Sequence, residues 1–226
     1  MHRQLLGIPL VYYFAALTIV LNHIPVIGKF FNVINTVLHE FGHALTALFF
    51  QGEVHKIEIF GDTSGSTTTK MHTKAGNIIV SLAGYPFAAA AAYFSFLLLD
   101  HNLQTAYIIG LSLLFFFILV LFVRNPYGWF WILAFCAINI AVIHFGDGTV
   151  TDIVSLFYAT TITTESITST FILLYLSITS PERAGDATNL KKFTGVPAFI
   201  WSLLFTAFSI FMCYTIYINF FVIFAD

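Results

Sequence analysis

The chain has 226 residues, of which 58% are hydrophobic and only 9% charged, and its formal net charge is −2. A soluble domain of this size cannot bury so much apolar surface, so the composition excludes one and indicates a polytopic membrane protein. No basic stripe is present, which argues against a nucleic-acid partner.

Seven apolar segments, each long enough to cross a bilayer as a helix, follow one another along the chain. They cover residues 5–24, 30–50, 77–99, 104–123, 129–145, 153–178 and 197–224. The first lacks a small-residue cleavage site before Pro25, so we interpret it as a retained span. The centre of the sixth, at residues 160–165, is polar, and a broken or re-entrant segment is the alternative there. The predicted fold is an all-α polytopic membrane protein, with residues 1–226 as a single membrane-embedded domain.

Charge placement supports seven crossings and orients the chain. With seven spans, eight of the nine basic residues fall on the N-terminal side, and only Lys29 falls on the other. Without the sixth crossing, Arg183, Lys191 and Lys192 change sides, and the split becomes five to four. Because basic residues concentrate in the cytoplasm, we predict a cytoplasmic N-terminus. The brevity of the chain favours a bacterial inner membrane, and an endomembrane location is the alternative.

Residues 51–76 form the only sizeable stretch outside the predicted spans. Val54, Ile57 and Ile59 alternate with charged residues as in a strand, turn residues follow, and the threonines at 67–69 favour a second strand. The pattern predicts a β-hairpin at the cytoplasmic membrane face. This hairpin is either a connecting ribbon or an edge strand that pairs with an extended substrate.

His39, Glu40 and His43 form the pattern H-E-x-x-H inside the second apolar segment. On a helix, residues i and i+4 share a face, so both histidines can present a ring nitrogen to one Zn²⁺. Glu40 can reach a water on that metal and act as a general base. The alternative is that all three side chains are satisfied within a helix bundle, but ionisable groups inside membrane helices are costly and usually functional.

A catalytic zinc normally keeps three protein ligands, so a further carboxylate or histidine is needed. In the predicted orientation His43 lies seven residues from the cytoplasmic end of its span, roughly 10 Å along the helix. Asp186 lies in the loop on that same side, whereas Asp152 and His144 lie towards the outer face. Glu165, near mid-depth, is the alternative third ligand. The alternative role for Asp186 is to cap the short helix that follows it.

Short motifs spread over most of the chain are typical of one enzyme family. They are His39-Glu40-Phe41-Gly42-His43-Ala44, Gly52-Glu53-Val54-His55-Lys56-Ile57, Leu82-Ala83-Gly84-Tyr85-Pro86, Gly185-Asp186-Ala187-Thr188-Asn189-Leu190, Thr194-Gly195-Val196-Pro197 and Trp201. On these motifs the chain resembles the site-2 protease family of intramembrane zinc metalloproteases, in its compact branch without a PDZ domain.

The resemblance implies zinc-dependent peptide hydrolysis within the membrane, on a single-span membrane protein as substrate. It assigns His39, His43 and Asp186 as ligands of one catalytic zinc and Glu40 as the base. The chain departs from better-known members at the third ligand, because Asp186 is followed by Ala187 instead of glycine and no Asn-x-x-Pro precedes it. The Asp-Gly pair that does occur, at residues 147–148, lies on the predicted outer side.

Other interpretations remain open from the residues alone. Glu165 and the threonines around it could line a polar path in a non-proteolytic scaffold or transporter. A membrane-embedded zinc hydrolase acting on lipid or prenylated tails is a third possibility. Gly84 and Pro86 either line the catalytic cavity or serve helix packing.

Overall fold

The computed structural model describes residues 4–5, 8–22, 24 and 26–222, and this part of the chain is mostly helical. Arg3 and parts of the first and last predicted spans, at 6–7, 23 and 223–224, lie outside the described residues. The helices are α1 (Leu10–Asn22), α2 (Ile27–Phe49), α3 (Lys74–Asp100), α4 (Gln104–Leu121), α5 (Pro126–Phe145), α6 (Gly148–Thr179), α7 (Gly185–Thr194) and α8 (Ala198–Tyr217). A 3-10 turn at Pro181–Arg183 precedes α7, and a π-helical turn at Ile218–Val222 follows α8.

Among the residues that the structure describes, four helices are long and apolar enough to cross a membrane: α3, α4, α5 and the stretch Ala198–Phe221. The chain is therefore an integral membrane protein. In the described part of the chain, the apolar part of α1 is short, at Val11–Leu21. Helices α2 and α6 are long enough to span but less apolar, because they carry more polar side chains. Each predicted span coincides with a helix, but the count of seven crossings stays a prediction.

The first and sixth predicted spans differ in detail from the helices observed. Helix α1 begins at Leu10, because Gln4–Leu5 (β1) and Ile8–Pro9 (β2) pair as a small antiparallel ribbon. Helix α6 is continuous through its polar centre, where the Thr160 and Thr164 hydroxyls donate to carbonyl oxygens four residues earlier. Such bonds satisfy threonine within a helix, so the polar centre does not break α6.

The predicted hairpin is confirmed, with strands β3 (Glu53–Ile59) and β4 (Gly65–Lys70). It folds back along α2, and Thr36 Oγ1 on α2 donates a hydrogen bond of 2.7 Å to the Thr63 carbonyl oxygen near the hairpin tip. The alternating apolar residues Ile57 and Ile59 are fully buried. The hairpin is thus packed into the helical bundle along this side.

The outer edge of β3 is occupied by the connection between α4 and α5. The Ile57 N–H donates to the Phe122 carbonyl at 2.8 Å, and the Arg124 N–H donates to the Ile57 carbonyl at 3.1 Å. The Asn125 side chain accepts from the Ile59 N–H at 3.1 Å and donates to the Ile59 carbonyl at 2.6 Å. The opposite edge of the hairpin belongs to β4, which lines a cavity beside α2.

A buried polar trio joins α4, α5 and α6. The Asn139 amide donates to Ser112 Oγ at 2.8 Å and accepts from the Tyr158 hydroxyl at 2.8 Å. Asn139 is fully buried. Because an apolar environment offers no other partners, these bonds favour one mutual arrangement of the three helices.

Candidate metal centre

Helix α2 brings the two histidines of the H-E-x-x-H pattern together. His39 and His43 are four residues apart, so they lie one above the other on one helical face. Their Nε2 atoms are 3.0 Å apart. Glu40 lies on the same helix and lines one cavity together with the two histidines. Both Glu40 and His43 are only 6% exposed.

The third group at this site is Asp186, in the first turn of α7. Its Oδ2 atom lies 3.2 Å from Nε2 of His39 and 3.2 Å from Nε2 of His43. Ala184 stands at the N-cap of α7, where no side chain caps the helix. The Asp186 carboxylate therefore faces the histidines and does not cap its own helix, which was the alternative role for this residue.

The three groups suit a tetrahedral zinc site. Ligands about 2.0–2.2 Å from a tetrahedral zinc lie roughly 3.3–3.6 Å from one another. The observed separations of 3.0 and 3.2 Å come close to that range. His43 Nδ1 lies 2.7 Å from the Val80 carbonyl oxygen. A proton held on Nδ1 by this bond leaves Nε2 with a free electron pair for a metal.

Gly84 of α3 lies directly against this group. A Cβ atom added at residue 84 would lie 2.5 Å from His39 Cε1 and 2.5 Å from His43 Nε2. Real Cβ atoms do not come so close, so only glycine lets α3 approach the two rings. Of the two roles open for Gly84, helix packing is the one observed, because Gly84 lets α3 approach α2 closely and is not among the residues that line the cavity.

The hairpin covers Glu40 from the other side. Thr67 Oγ1 on β4 lies 2.6 Å from Glu40 Oε2 and 3.1 Å from the Glu40 main-chain oxygen. A Cβ atom at Gly65 would lie 2.6 Å from Glu40 Oε1. Strand β4 therefore holds the carboxylate in one orientation and leaves no space for a larger residue above it.

The four side chains line one cavity of about 550 Å³. Polar residues from five elements complete its wall, among them Asn77 on α3, Ser169 on α6 and Asn189 on α7. Burial opposes ionisation of Asp186, but His43 and His39 outweigh burial and hold the pKa of this carboxyl below its usual range. An ionised carboxylate beside two imidazoles, in a polar and partly enclosed cavity, has the chemistry of a metal site.

The other candidate ligands do not join this group. Among the described residues, only His39, His43 and Asp186 bring His, Cys, Asp or Glu ligand atoms together in one cluster. His144 is exposed in the last turn of α5, and Asp152 and Glu165 lie elsewhere on α6. Sequence reasoning did not identify Thr67 or Asn189, although the run of threonines at 67–69 had marked the strand.

Comparison with known proteins gives a family but no close relative. A family model described as Peptidase M50B-like matches residues 10–216. No curated protein and no solved structure matches the chain.

Proposed function

The chain belongs to the Peptidase M50B-like family, and on this basis we propose that it is a zinc-dependent endopeptidase of membrane-spanning substrates. The family match also confirms the resemblance to site-2 proteases. The observation that carries the proposal is the convergence of His39, His43 and Asp186 within 3.2 Å, beside Glu40. Peptidase activity follows from the family, whereas the zinc and the intramembrane site of cleavage are the proposed parts.

The three converging side chains would hold one zinc and leave its fourth position open. A zinc ion in such a site acts as a Lewis acid towards a carbonyl and lowers the pKa of a bound water to about 7. The Val80 carbonyl fixes the His43 ring, and Asp186 contributes the charge that two neutral histidines lack. Gly84 keeps space for the two rings to stand side by side.

Glu40 has the position of a general base. It lines the same cavity as the three ligands, and the Thr67 hydroxyl orients its Oε2 atom. The carboxylate takes a proton from the attacking water and returns it to the amine that leaves. The polar cavity wall gives water a route to the carboxylate, which a purely apolar bundle would not provide.

A substrate helix must unwind before hydrolysis, because its own turns shield each peptide bond. We propose that the unwound segment adds to β4 as a further strand. In the hairpin, Ile57 lies opposite Thr67 and Ile59 lies opposite Gly65. The main-chain N–H and C=O groups of both isoleucines point away from β4 and bond to the connection between α4 and α5. In an antiparallel ladder the main-chain groups of Thr67 and Gly65 then point away from β3, towards the cavity.

Zinc content tests the metal site. Detergent-purified wild-type protein should hold about one zinc per chain, which His43→Ala and Asp186→Ala should lose. Glu165→Ala is the matched control, since it removes a carboxylate from α6, and it should keep the metal. No zinc in the correctly folded wild type would favour a scaffold or carrier. Loss in Glu165→Ala but not in Asp186→Ala would make Glu165 the third ligand in place of Asp186.

Membrane proteomics tests the activity. We would express the wild type and Glu40→Gln at equal levels and compare membrane-protein fragments by mass spectrometry. The wild type should produce fragments whose new ends lie within apolar spans, and Glu40→Gln should produce none while retaining its zinc. Identical fragment sets from the two proteins would rule out a peptidase role for this site. If only lipid or prenylated tails were cleaved, the result would favour the alternative of a membrane-embedded zinc hydrolase that acts on such tails.

We further propose a cytoplasmic N-terminus and hairpin, in a bacterial inner membrane. The predicted eight-to-one distribution of basic residues supports this orientation. In a chain without its native cysteines, His72→Cys beside the hairpin and His101→Cys at the opposite end of α3 can be labelled in intact cells. Labelling of residue 101 but not 72 by an impermeant maleimide is the expected result, and the reverse pattern would invert the topology.

A further inference from the structure

A second cavity, of about 380 Å³, lies between α3 and α4. At one end it reaches Leu38 on α2 and Ile162 on α6. Its wall is apolar except at two residues, Ser95 and Tyr107. It shares no lining residue with the metal-centre cavity, so it forms a separate binding space.

The position of Tyr107 on this wall is unusual. Its side chain is 95% buried, since only 5% is exposed, and its hydroxyl has no hydrogen-bond partner among the described residues. The Ser95 hydroxyl on the same wall interacts with the phenol, but it donates to the Ala91 carbonyl at 2.8 Å, and its placement does not meet the distance and angle of a hydrogen bond to Tyr107. A buried O–H donor without an acceptor is unfavourable, so the groove favours a ligand that carries an acceptor.

The groove has the length and depth of one leaflet of a bilayer. On α3 it extends from Phe87 to Leu98, eleven residues or roughly 16 Å. The hydrocarbon region of one leaflet is about 15 Å deep, half of the whole core. Leu98 and Tyr107 flank the polar turn at residues 100–104, which marks the membrane surface at that end. The donor therefore lies near the headgroup level, and the apolar wall extends towards the centre of the bilayer.

Small residues leave room along the groove. Three of its wall residues are alanines, namely Ala90, Ala91 and Ala106. At Gly110 an added Cβ would meet nothing within 4 Å, so the space beside it is open. An apolar groove of about 380 Å³ along these small residues suits one flexible hydrocarbon chain.

We propose that this groove binds one acyl chain of a glycerophospholipid, with its ester carbonyl accepting a hydrogen bond from the Tyr107 hydroxyl. The chain would pack along α3 and α4 down to Phe87. That ring also contacts Phe41, with ring centroids 5.7 Å apart, and lies against Gly42 of the H-E-x-x-H turn. The bound lipid would therefore stabilise the contact between α2 and α3 from the side opposite the metal centre.

The test is a lipid titration of the delipidated full chain, followed by native mass spectrometry. The probe is dipalmitoyl phosphatidylglycerol, with dioctanoyl phosphatidylglycerol as the short-chain comparison. Wild type should bind one long-chain lipid with high affinity and the short-chain lipid more weakly. Gly110→Phe should fill the groove and weaken binding by about tenfold or more. Tyr107→Phe should weaken it by about two- to tenfold, as for loss of one neutral hydrogen bond.

Leu113→Phe is the matched control, because Leu113 is 63% exposed on the outer face of the same helix. It should bind lipid like the wild type. Ala106→Leu is a second filling variant, should Gly110→Phe lose its helical circular dichroism. Equal binding by wild type and both filling variants would overturn the proposal. A wild type that is dimeric and a Gly110→Phe variant that is monomeric would also overturn it, because a second copy of the chain would then cover the groove in the wild type. None of these measurements depends on zinc or on cleavage.

Discussion

The Thr67 hydroxyl on β4 lies 2.6 Å from Oε2 of Glu40 on α2, and this contact joins the hairpin to the carboxylate of the H-E-x-x-H pattern. The Glu40 side chain has three rotatable bonds, and rotation about them could turn its carboxylate away from the cavity. A hydroxyl held on a paired strand restricts that motion. In the proposed reaction we therefore expect Thr67 to be a positioning residue that acts through Glu40.

Replacing Thr67 with valine should lower kcat by about tenfold or more, because valine keeps the shape but lacks the hydrogen bond to the ionised Glu40 carboxylate. KM and zinc content should change little. Thr67→Ser should restore most of the rate. Thr69→Val changes the same strand and cavity without contacting Glu40, and should behave like the wild type. Equal rates for Thr67→Val and Thr69→Val would show that Glu40 needs no such support.

Gly84→Ala should reduce zinc affinity strongly, since the new methyl group would lie 2.5 Å from His43 Nε2. We expect loss of most bound zinc with helical content retained, measured by metal analysis and circular dichroism. Gly148→Ala is the control, because an added Cβ there meets nothing within 4 Å. Full zinc content in Gly84→Ala would mean that α3 can move away from the rings.

Asn125→Ala should loosen the hairpin without touching the cavity. It removes both side-chain bonds to Ile59, and leaving those buried main-chain groups unpaired costs about 1–3 kcal/mol. Faster amide hydrogen exchange across β3 and β4 is the expected signal. Arg124→Ala keeps its main-chain bond to Ile57 and should exchange like the wild type. Unchanged exchange in both variants would assign the stability of the hairpin to α2 alone.

Tyr158→Phe should destabilise the bundle, because it leaves the fully buried Asn139 carbonyl oxygen without its donor. We expect a loss of about 1–3 kcal/mol, seen as a lower Tm in detergent. Tyr175→Phe removes a hydroxyl from the same helix, where the side chain is 66% exposed, and should have little effect. Equal Tm values for the two variants would show that the polar trio adds no stability.

The parts of this protein that could be predicted are those with local patterns. A four-residue helical spacing places His39 and His43 on one face wherever that helix lies. Two-residue alternation marks β3, and the boundaries predicted for the hairpin enclose both strands. The family also followed from short motifs and is confirmed by the match over residues 10–216.

The remaining features depend on contacts between distant segments. The Asn125 side chain forms hydrogen bonds with Ile59 of β3, 66 residues earlier in the chain, and no local pattern indicates this contact. For Gly84 the residues alone left cavity lining and helix packing open, and they did not indicate that the packing would be against the two histidines. Asp186 joins the histidines as predicted, but its role as a ligand stays a prediction until the metal is measured.

The order of these segments along the chain also has a consequence for biosynthesis. The two histidines belong to the second helix, whereas Asp186 follows His43 by 143 residues. A ribosome adding about 5–20 residues per second needs roughly 7–30 s to cover that interval. During this time the nascent chain carries its histidines and Glu40 in the translocation machinery without their acidic partner. With Asp186 as a required ligand, as proposed, a hydrolase assembled in this order would stay inert towards the unfolded membrane segments around it until its own insertion is nearly complete.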